Sequence, residues 1–246
     1  FVHNYMDRSV TVVDTSGLLN GTVNQPRLVT TVSSVANETL APSVLNGKRI
    51  FFNAADTRMS RDGYISCASC HLDGGSDQMV WDFTQVGEGL RNTIDLTGRR
   101  GTNGGFVHWT ANFDEIQDFE HDIRDGFGGS GFVADSDFNA GTRNQPLGDT
   151  KAGLSGSLDD LAAYVSSLNT FPRSPYRTAG GSMTAAGIAG QAVFAARGCA
   201  SCHAGADFTD DLTHDVGTQV TASGLGRGVS LAGVGHNTPT LKGLWL

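Results

Sequence analysis

No stretch of this 246-residue sequence approaches the roughly 20 consecutive apolar residues that a membrane-spanning helix needs, so no helical membrane span is expected. Positive charge is also scarce. Seventeen Lys and Arg stand against 25 Asp and Glu, giving a net charge of −8 and a pI near 5.2. The densest basic run is Arg99-Arg100, which disfavours a nucleic-acid binder. The acid excess reads as a solubility device or as attraction for a basic partner. An initiator Met and a charged-then-apolar leader are both missing from Phe1-Val2-His3-Asn4, and the far end is the apolar tripeptide Leu244-Trp245-Leu246. The expectation is a processed or truncated start and a second domain that is C-terminally incomplete.

Disulfide chemistry is the last absence, because two motifs use all four cysteines: Cys67-Ala68-Ser69-Cys70-His71 and Cys199-Ala200-Ser201-Cys202-His203. C-x-x-C-H is the attachment site of c-type haem, where two thiols add to the vinyl groups and the adjacent His reaches the iron. Four thiolates would also suit one tetrahedral zinc, but zinc ribbons separate their pairs by roughly 15–20 residues. Here about 130 residues separate His71 from His203, which favours one motif per domain. A repeat agrees with that division. Gly47-Lys48-Arg49-Ile50-Phe51 precedes the first motif and Gly190-Gln191-Ala192-Val193-Phe194 the second, both as G-x-x-[IV]-F.

With 33 Gly among 246 residues, tight turns and irregular loops are expected between the regular elements. Residues 1–35 carry β-branched runs at Ser9–Thr15 and Leu28–Val32, which read as edge strands of a β-rich N-terminal segment, the end of an upstream propeller. From Gly47 the pattern turns helical. Ser157–Leu168 reads as a helix with Ser157 as N-cap and Leu158, Leu161, Val165 and Leu168 on one face. Asn112–Arg124 is a second helix candidate, residues 126–156 a Gly-rich loop, and Thr170–Gly181 a linker. Thr184 caps a further helix that runs to Arg197. The expected organisation is thus 1–35, a first haem domain at 36–177 and a second at 178–246. The fold class is mainly α, with two cytochrome c-type domains and long Gly-rich loops.

The motifs, the repeat and the Leu-Ala-Ala-Tyr-Val-x-Ser-Leu run resemble the cytochrome c superfamily. Two such domains in this order resemble the bacterial di-haem cytochrome c peroxidases and their MauG-like relatives. Local matches are Arg91-Asn92-Thr93-Ile94-Asp95-Leu96, His108-Trp109 and Thr238-Pro239-Thr240-Leu241-Lys242-Gly243-Leu244. The resemblance implies two covalent haems c, proximal ligation by His71 and His203, and one Ca²⁺ held by Asn92, Thr238 and Thr240. Asn92 could equally cap a turn, and the two threonines could flank the turn at Pro239.

The resemblance also implies an inter-haem role for Trp109, against which stands the reading of a buried core Trp. It implies catalytic roles for Gln117 and Glu120 beside a first iron open to peroxide. The family's distal His would fall in Gly87-Glu88-Gly89, where no His stands. His108 is the candidate distal ligand of the first iron, ahead of His121, and His236 and His214 are the candidates at the second, with Met183 a weaker one.

The function expected on this resemblance is a peroxidase-type oxidoreductase whose second haem passes electrons to a peroxide-reactive first haem. The alternative is a non-catalytic electron-transfer di-haem cytochrome, one module of a larger extracellular protein or conduit. Either implies a small redox donor protein or another cytochrome as partner, with a homodimer as candidate assembly. Covalent haem implies a periplasmic or extracellular bacterial location.

Overall fold

The computed structural model describes residues 1–99, 101, 105–220, 225–226, 229–230 and 234–245. Arg100 of the basic pair and Leu246 of the apolar tripeptide lie outside the described residues. The chain divides into two compact units, Phe1–Pro42 and Ser43–Leu246.

The first unit is a three-stranded antiparallel meander of β1 (Val2–Asn4), β2 (Ser9–Asp14) and β3 (Arg27–Ser33), in the order β1-β2-β3. Stiff β-branched side chains suit this extended backbone. β2 is the middle strand rather than an edge, because Val2–Asn4 pairs with it in the register Val2↔Thr11 to Asn4↔Ser9. The Asn4 amide donates to the Ser9 and Thr11 hydroxyls at 3.0 and 2.7 Å. Between β2 and β3 a short helix, α1 (Ser16–Leu19), starts where Asp14 accepts bonds from the Ser16 N–H and hydroxyl at 2.9 and 2.6 Å. Those two bonds and Arg27 hold the Asp14 carboxyl down at about 2.

The second unit packs α2 (Pro42–Phe52) against α5 (Gly156–Ser167), with a four-residue helix α3 (Cys67–Cys70) and a short helix α4 (Asp135–Phe138) between them in sequence. Gly47 of α2 meets α5 at backbone distance, and a Cβ there would lie 1.8 Å from the Asp160 carbonyl oxygen. The core around this crossing contains Phe51, Met59, Ile116, Ile123, Leu158, Leu161, Tyr164 and Val165. Phe51 and Tyr164 meet edge to face at 5.1 Å. The cap of α5 is Ser155, whose hydroxyl accepts from the Leu158 N–H at 3.4 Å, so the helix starts before the expected Ser157.

The expected helix at Asn112–Arg124 is shorter and irregular, formed of a 3₁₀ turn at Ile116–Phe119 and a π turn at Asp122–Gly126. Phe113 instead makes a bridge with Val107, and the Asp118 carboxylate turns the chain by accepting from the Asp114 and Glu115 N–H groups at 3.0 and 3.3 Å. Further on, α6 (Ala185–Ala196) starts at the expected cap, with the Thr184 hydroxyl accepting from the Gly187 N–H at 3.2 Å. No residue of α6 is buried.

The mainly α, two-domain expectation is corrected. The described residues are 29% helical and 14% strand, with several small sheets rather than two cytochrome domains. Three of these sheets lie in the second unit: β4 (Val80–Asp82) with β5 (Leu90–Asn92), β6 (Thr213–His214) with β9 (His236–Asn237), and β7 (Leu225–Gly226) with β8 (Val229–Ser230). Next to the β6–β9 ladder the Thr238 N–H meets the Leu212 carbonyl at 2.9 Å, and the Asn237 N–H reaches out to the Trp109 carbonyl at 2.7 Å.

Candidate functional site

Both C-x-x-C-H segments are built the same way from their own backbone. Ser66 and Ser69 form a reciprocal cap at the start of α3, and the His71 N–H returns to the Cys67 carbonyl at 2.9 Å. In the second motif Gly198, at φ 71°, makes the left-handed entry, and the His203 N–H returns to the Cys199 carbonyl at 3.0 Å. Each imidazole then faces a carbonyl downstream through Nδ1: His71 meets Gly75 at 3.3 Å and His203 meets Phe208 at 3.1 Å. A donor role for Nδ1 in that contact leaves Nε2 as the ligand atom.

Cys67, Cys70 and His71 open on one cavity of about 250 Å³. Its apolar wall includes Phe51, Ile116, Phe119, Leu161 and Val165, and its polar side includes Glu88, Arg91, His108, Trp109 and Asp122. Burial pushes the thiols of Cys67 and Cys70 up to about 12 and 11, so both are protonated at neutral pH. Burial also lowers the His71 pKa, against carbonyl contacts from Gly75 and Ile94, which keeps its ring in the neutral form a metal requires. Thiols, a neutral imidazole and apolar walls in one cavity form a donor set that fits covalent haem.

Beside this motif, His108 sits at φ 68° with both ring nitrogens opposite oxygens. Nδ1 donates to the Asn112 side-chain oxygen at 2.8 Å, and Nε2 lies 3.3 Å from an Asp122 carboxylate oxygen. Burial alone would lower its pKa, but Asp122, Glu88 and Asn112 outweigh that and raise it, favouring the imidazolium. Glu88 is buried too. It accepts from Asn112 at 2.8 Å and from Thr110 at 3.1 Å, and pairs with Arg91 at 3.3 Å. Sequence reasoning passed over Glu88 because it looked in Gly87-Glu88-Gly89 for a histidine; an acid flanked by two glycines three residues before Arg91 was the available signal.

The other expected site residues divide between the cavity and the surrounding packing. Trp109 lines the cavity, donates through its indole N–H to the Asn92 carbonyl at 2.9 Å and faces His236 edge on at 6.4 Å. Asn92, Thr238 and Thr240 line the same cavity. The Asn92 amide donates to the Met79 carbonyl at 3.2 Å, the Thr238 carbonyl accepts from the Thr209 hydroxyl at 2.6 Å, and the Thr240 hydroxyl donates to the Asp207 carbonyl. The Thr238 side chain also bonds the Asp210 carboxylate. Gln117 and Glu120 are not brought to the cavity. Gln117 donates to Asp159 at 2.9 Å, while the fully buried Glu120 accepts from the Phe132 and Val133 N–H groups and from Arg124. His121 is a core residue, its ring beside those of Phe113 and Phe138. His236 pairs with His214 across the β6–β9 ladder, and burial and Arg91 lower its pKa.

No protein-family model matches the sequence. Over 180 residues the chain is 34% identical to hydrazine synthase subunit gamma of Kuenenia stuttgartiensis, a match covering 68% of this chain and 46% of that protein. The chain therefore spans about half the length of that curated relative. A solved structure of Kuenenia stuttgartiensis hydrazine synthase, pressurized with 20 bar xenon, matches with a TM-score of 0.50 and 28% identity, covering 79% of this chain and 67% of that one. These findings overturn the resemblance to the di-haem cytochrome c peroxidases and MauG-like proteins, and with it the peroxidase function and its electron-carrier alternative. The matching segments Arg91–Leu96 and Thr238–Leu244 are short, and short segments do not carry a family. Over about two thirds of its length the chain is similar instead to the gamma subunit of hydrazine synthase.

Proposed function

We propose that this chain is a haem-bearing, gamma-type subunit of a multi-protein assembly of the hydrazine synthase kind. The observation that carries the reading is the cavity lined by Cys67, Cys70 and His71, in a chain similar to a hydrazine synthase subunit over 180 residues. Cys67 and Cys70 would hold one haem c by thioether bonds, and Cys199 and Cys202 a second, with His71 and His203 as the proximal ligands. When bound, haem supplies an iron centre whose reactivity follows its axial ligand and the polarity around it.

The chain's own residues do the rest. The Gly75 carbonyl orients His71, and the walls formed by Phe51, Ile116, Phe119, Leu161 and Val165 exclude water. Arg91, Arg99 and Lys242 supply cations suited to the haem carboxylates. His108 stores a proton at Nε2 against Asp122. Covalent haem attachment would imply a location outside the bacterial cytoplasm, with the other subunits of such an assembly as partners. Among the described residues no helix is long and apolar enough to cross a membrane.

The test is to produce the full chain with c-type maturation, alone and together with partner subunits of the hydrazine synthase kind. Denatured protein should carry two haems by pyridine haemochrome spectrum and intact mass, one in the Cys67→Ala/Cys70→Ala variant, and the wild type should co-elute with those subunits. Haem lost on denaturation, or a chain that never co-elutes, would overturn the proposal.

A further inference from the structure

The loop after the second motif brings three chemically different metal ligands together. Cys202, Asp210 and His214 each offer one atom, and all three atoms lie within 4.8 Å of one another. Two are already in contact, His214 Nε2 and Asp210 Oδ2 at 2.7 Å. The arrangement is held from outside the trio. His214 is fixed by pairing with His236 across the β6–β9 ladder, and Asp210 turns the chain by accepting the Leu212 N–H through Oδ1 at 3.1 Å. That bond leaves Oδ2 for the shared point. The His203 ring, next to Cys202, is anchored to the Phe208 carbonyl at 3.1 Å, which sets the direction from which the loop returns to the thiol. All three groups are partly exposed, so an ion has a path in.

We propose that, before haem is attached at the second motif, Cys202, Asp210 and His214 form a site for one Zn²⁺-like divalent ion, and that this site and haem attachment exclude each other. One thiolate, one imidazole and one carboxylate are a borderline-soft set, which suits zinc and leaves a fourth position for water. Zinc bonds of about 2.0–2.2 Å at tetrahedral angles place nitrogen and oxygen ligands roughly 3.3–3.6 Å apart. From 2.7 Å, Asp210 and His214 need to part by roughly 0.6–0.9 Å to admit the ion between them. Binding takes the thiol proton from Cys202 and leaves a zinc thiolate. Haem attachment uses the same sulfur differently: the S–H adds across a vinyl C=C, a C–S bond forms, the proton goes to the neighbouring vinyl carbon, and a thioether remains. That thioether carries no charge and is a poor zinc ligand. A zinc-loaded chain is therefore closed to attachment at this motif, while the first motif stays available. This site stands without the haem reading, since it is a property of the free thiol form.

The experiment uses the full chain produced without haem maturation and titrated with Zn²⁺ against a chromophoric chelator, then with Co²⁺ to read thiolate-to-metal absorption. The expected result is one ion per chain with thiolate absorption. Affinity should fall at least about tenfold in His214→Ala and in the near-isosteric Asp210→Asn, a loss at least as large as that for an outer-shell partner. It should be unchanged in Cys199→Ser and in Cys67→Ser/Cys70→Ser. Undiminished affinity in both His214→Ala and Asp210→Asn, loss of binding in Cys199→Ser, or no thiolate absorption would overturn the proposal. Circular dichroism of each variant separates lost ligation from lost folding. In maturation reactions, added Zn²⁺ should lower haem at the second motif only, and Asp210→Asn should relieve that inhibition. Haem absent from both motifs without zinc would count against the haem reading and leave the zinc titration standing.

Discussion

Gly47→Ala and Gly190→Ala change equivalent glycines of one repeated G-x-x-[IV]-F sequence, yet they should move stability in opposite directions. At Gly47 an added Cβ would lie 1.8 Å from the Asp160 carbonyl oxygen, 2.5 Å from its carbon and 2.8 Å from the Tyr164 Cβ. Two of those three atoms are backbone, so no side-chain rotation relieves the clash. The α2–α5 crossing must widen, and the Phe51–Tyr164 contact at 5.1 Å widens with it. Overpacking of this kind costs up to about 3 kcal/mol, and the better helix propensity of Ala returns about 1. The net loss of about 2 kcal/mol corresponds to a fall of roughly 4–8 °C in Tm for a chain of this size. At Gly190 no atom lies within 4 Å of the added Cβ. Only the propensity gain of up to about 1 kcal/mol remains there, a rise of roughly 2–4 °C at most. Urea and thermal unfolding followed by circular dichroism read both values. A Gly47→Ala protein as stable as wild type, or a shared sign for the two variants, would refute the close-crossing argument.

Other outcomes follow from buried charges. Glu120→Ala should lose about 3–5 kcal/mol in urea unfolding, because two N–H groups and Arg124 lose their acceptor; unchanged stability would return Glu120 to the list of chemical candidates. Lys151→Met should lose about 3 kcal/mol by stranding the Asp118 carboxylate that the fully buried Lys151 meets at 2.6 Å. The folded-state pKa of His108 is raised above its unfolded value. Its stabilisation is therefore complete below the unfolded value and lost as pH rises through the folded one. The stability difference between wild type and His108→Gln should accordingly be full below the ordinary imidazole value of about 6.5 and shrink as pH rises above it, and a difference that grows with pH would refute the assignment.

The sequence disclosed elements whose signal is local. The Thr184 cap, the apolar face of Leu158, Leu161 and Val165, and the two C-x-x-C-H turns are set by neighbours within a few residues. Ser155 was overlooked in favour of Ser157 because both are serines before the same apolar stripe, and only the bond from the Leu158 N–H distinguishes them. Residues 112–115 read as helix from the spacing of Phe113 and Ile116, but Phe113 is claimed by a bridge to Val107, a tertiary contact that periodicity does not encode. Pro172, Pro175 and Gly180 lie in an irregular stretch between α5 and α6, and the bonds that cross it, from the Asn237 N–H to the Trp109 carbonyl and from the Asn237 amide to the Phe106 carbonyl, are long-range contacts that no local pattern encodes. Glu120 and Gln117 were chosen by alignment to a family pattern. Their partners, backbone N–H groups and Asp159, are residues no motif names.

The end of α5 and the far end of the chain meet at one point. Phe171 lies over Gly98 and stacks edge on to Trp245 at 5.3 Å, and the Trp245 indole donates to the Pro172 carbonyl at 3.0 Å. The stretch that carries α6 and the second motif is thus held at both its ends by this neck, and Asn237 fastens it again to the Trp109 and Phe106 carbonyls. Closing a loop of this length costs roughly 4 kcal/mol of chain entropy, a cost nearly indifferent to what the loop contains. α6 buries none of its residues and so adds little packing of its own to offset that cost. Each contact at the neck therefore lightens the entropy that the Asn237 bonds would otherwise have to offset alone.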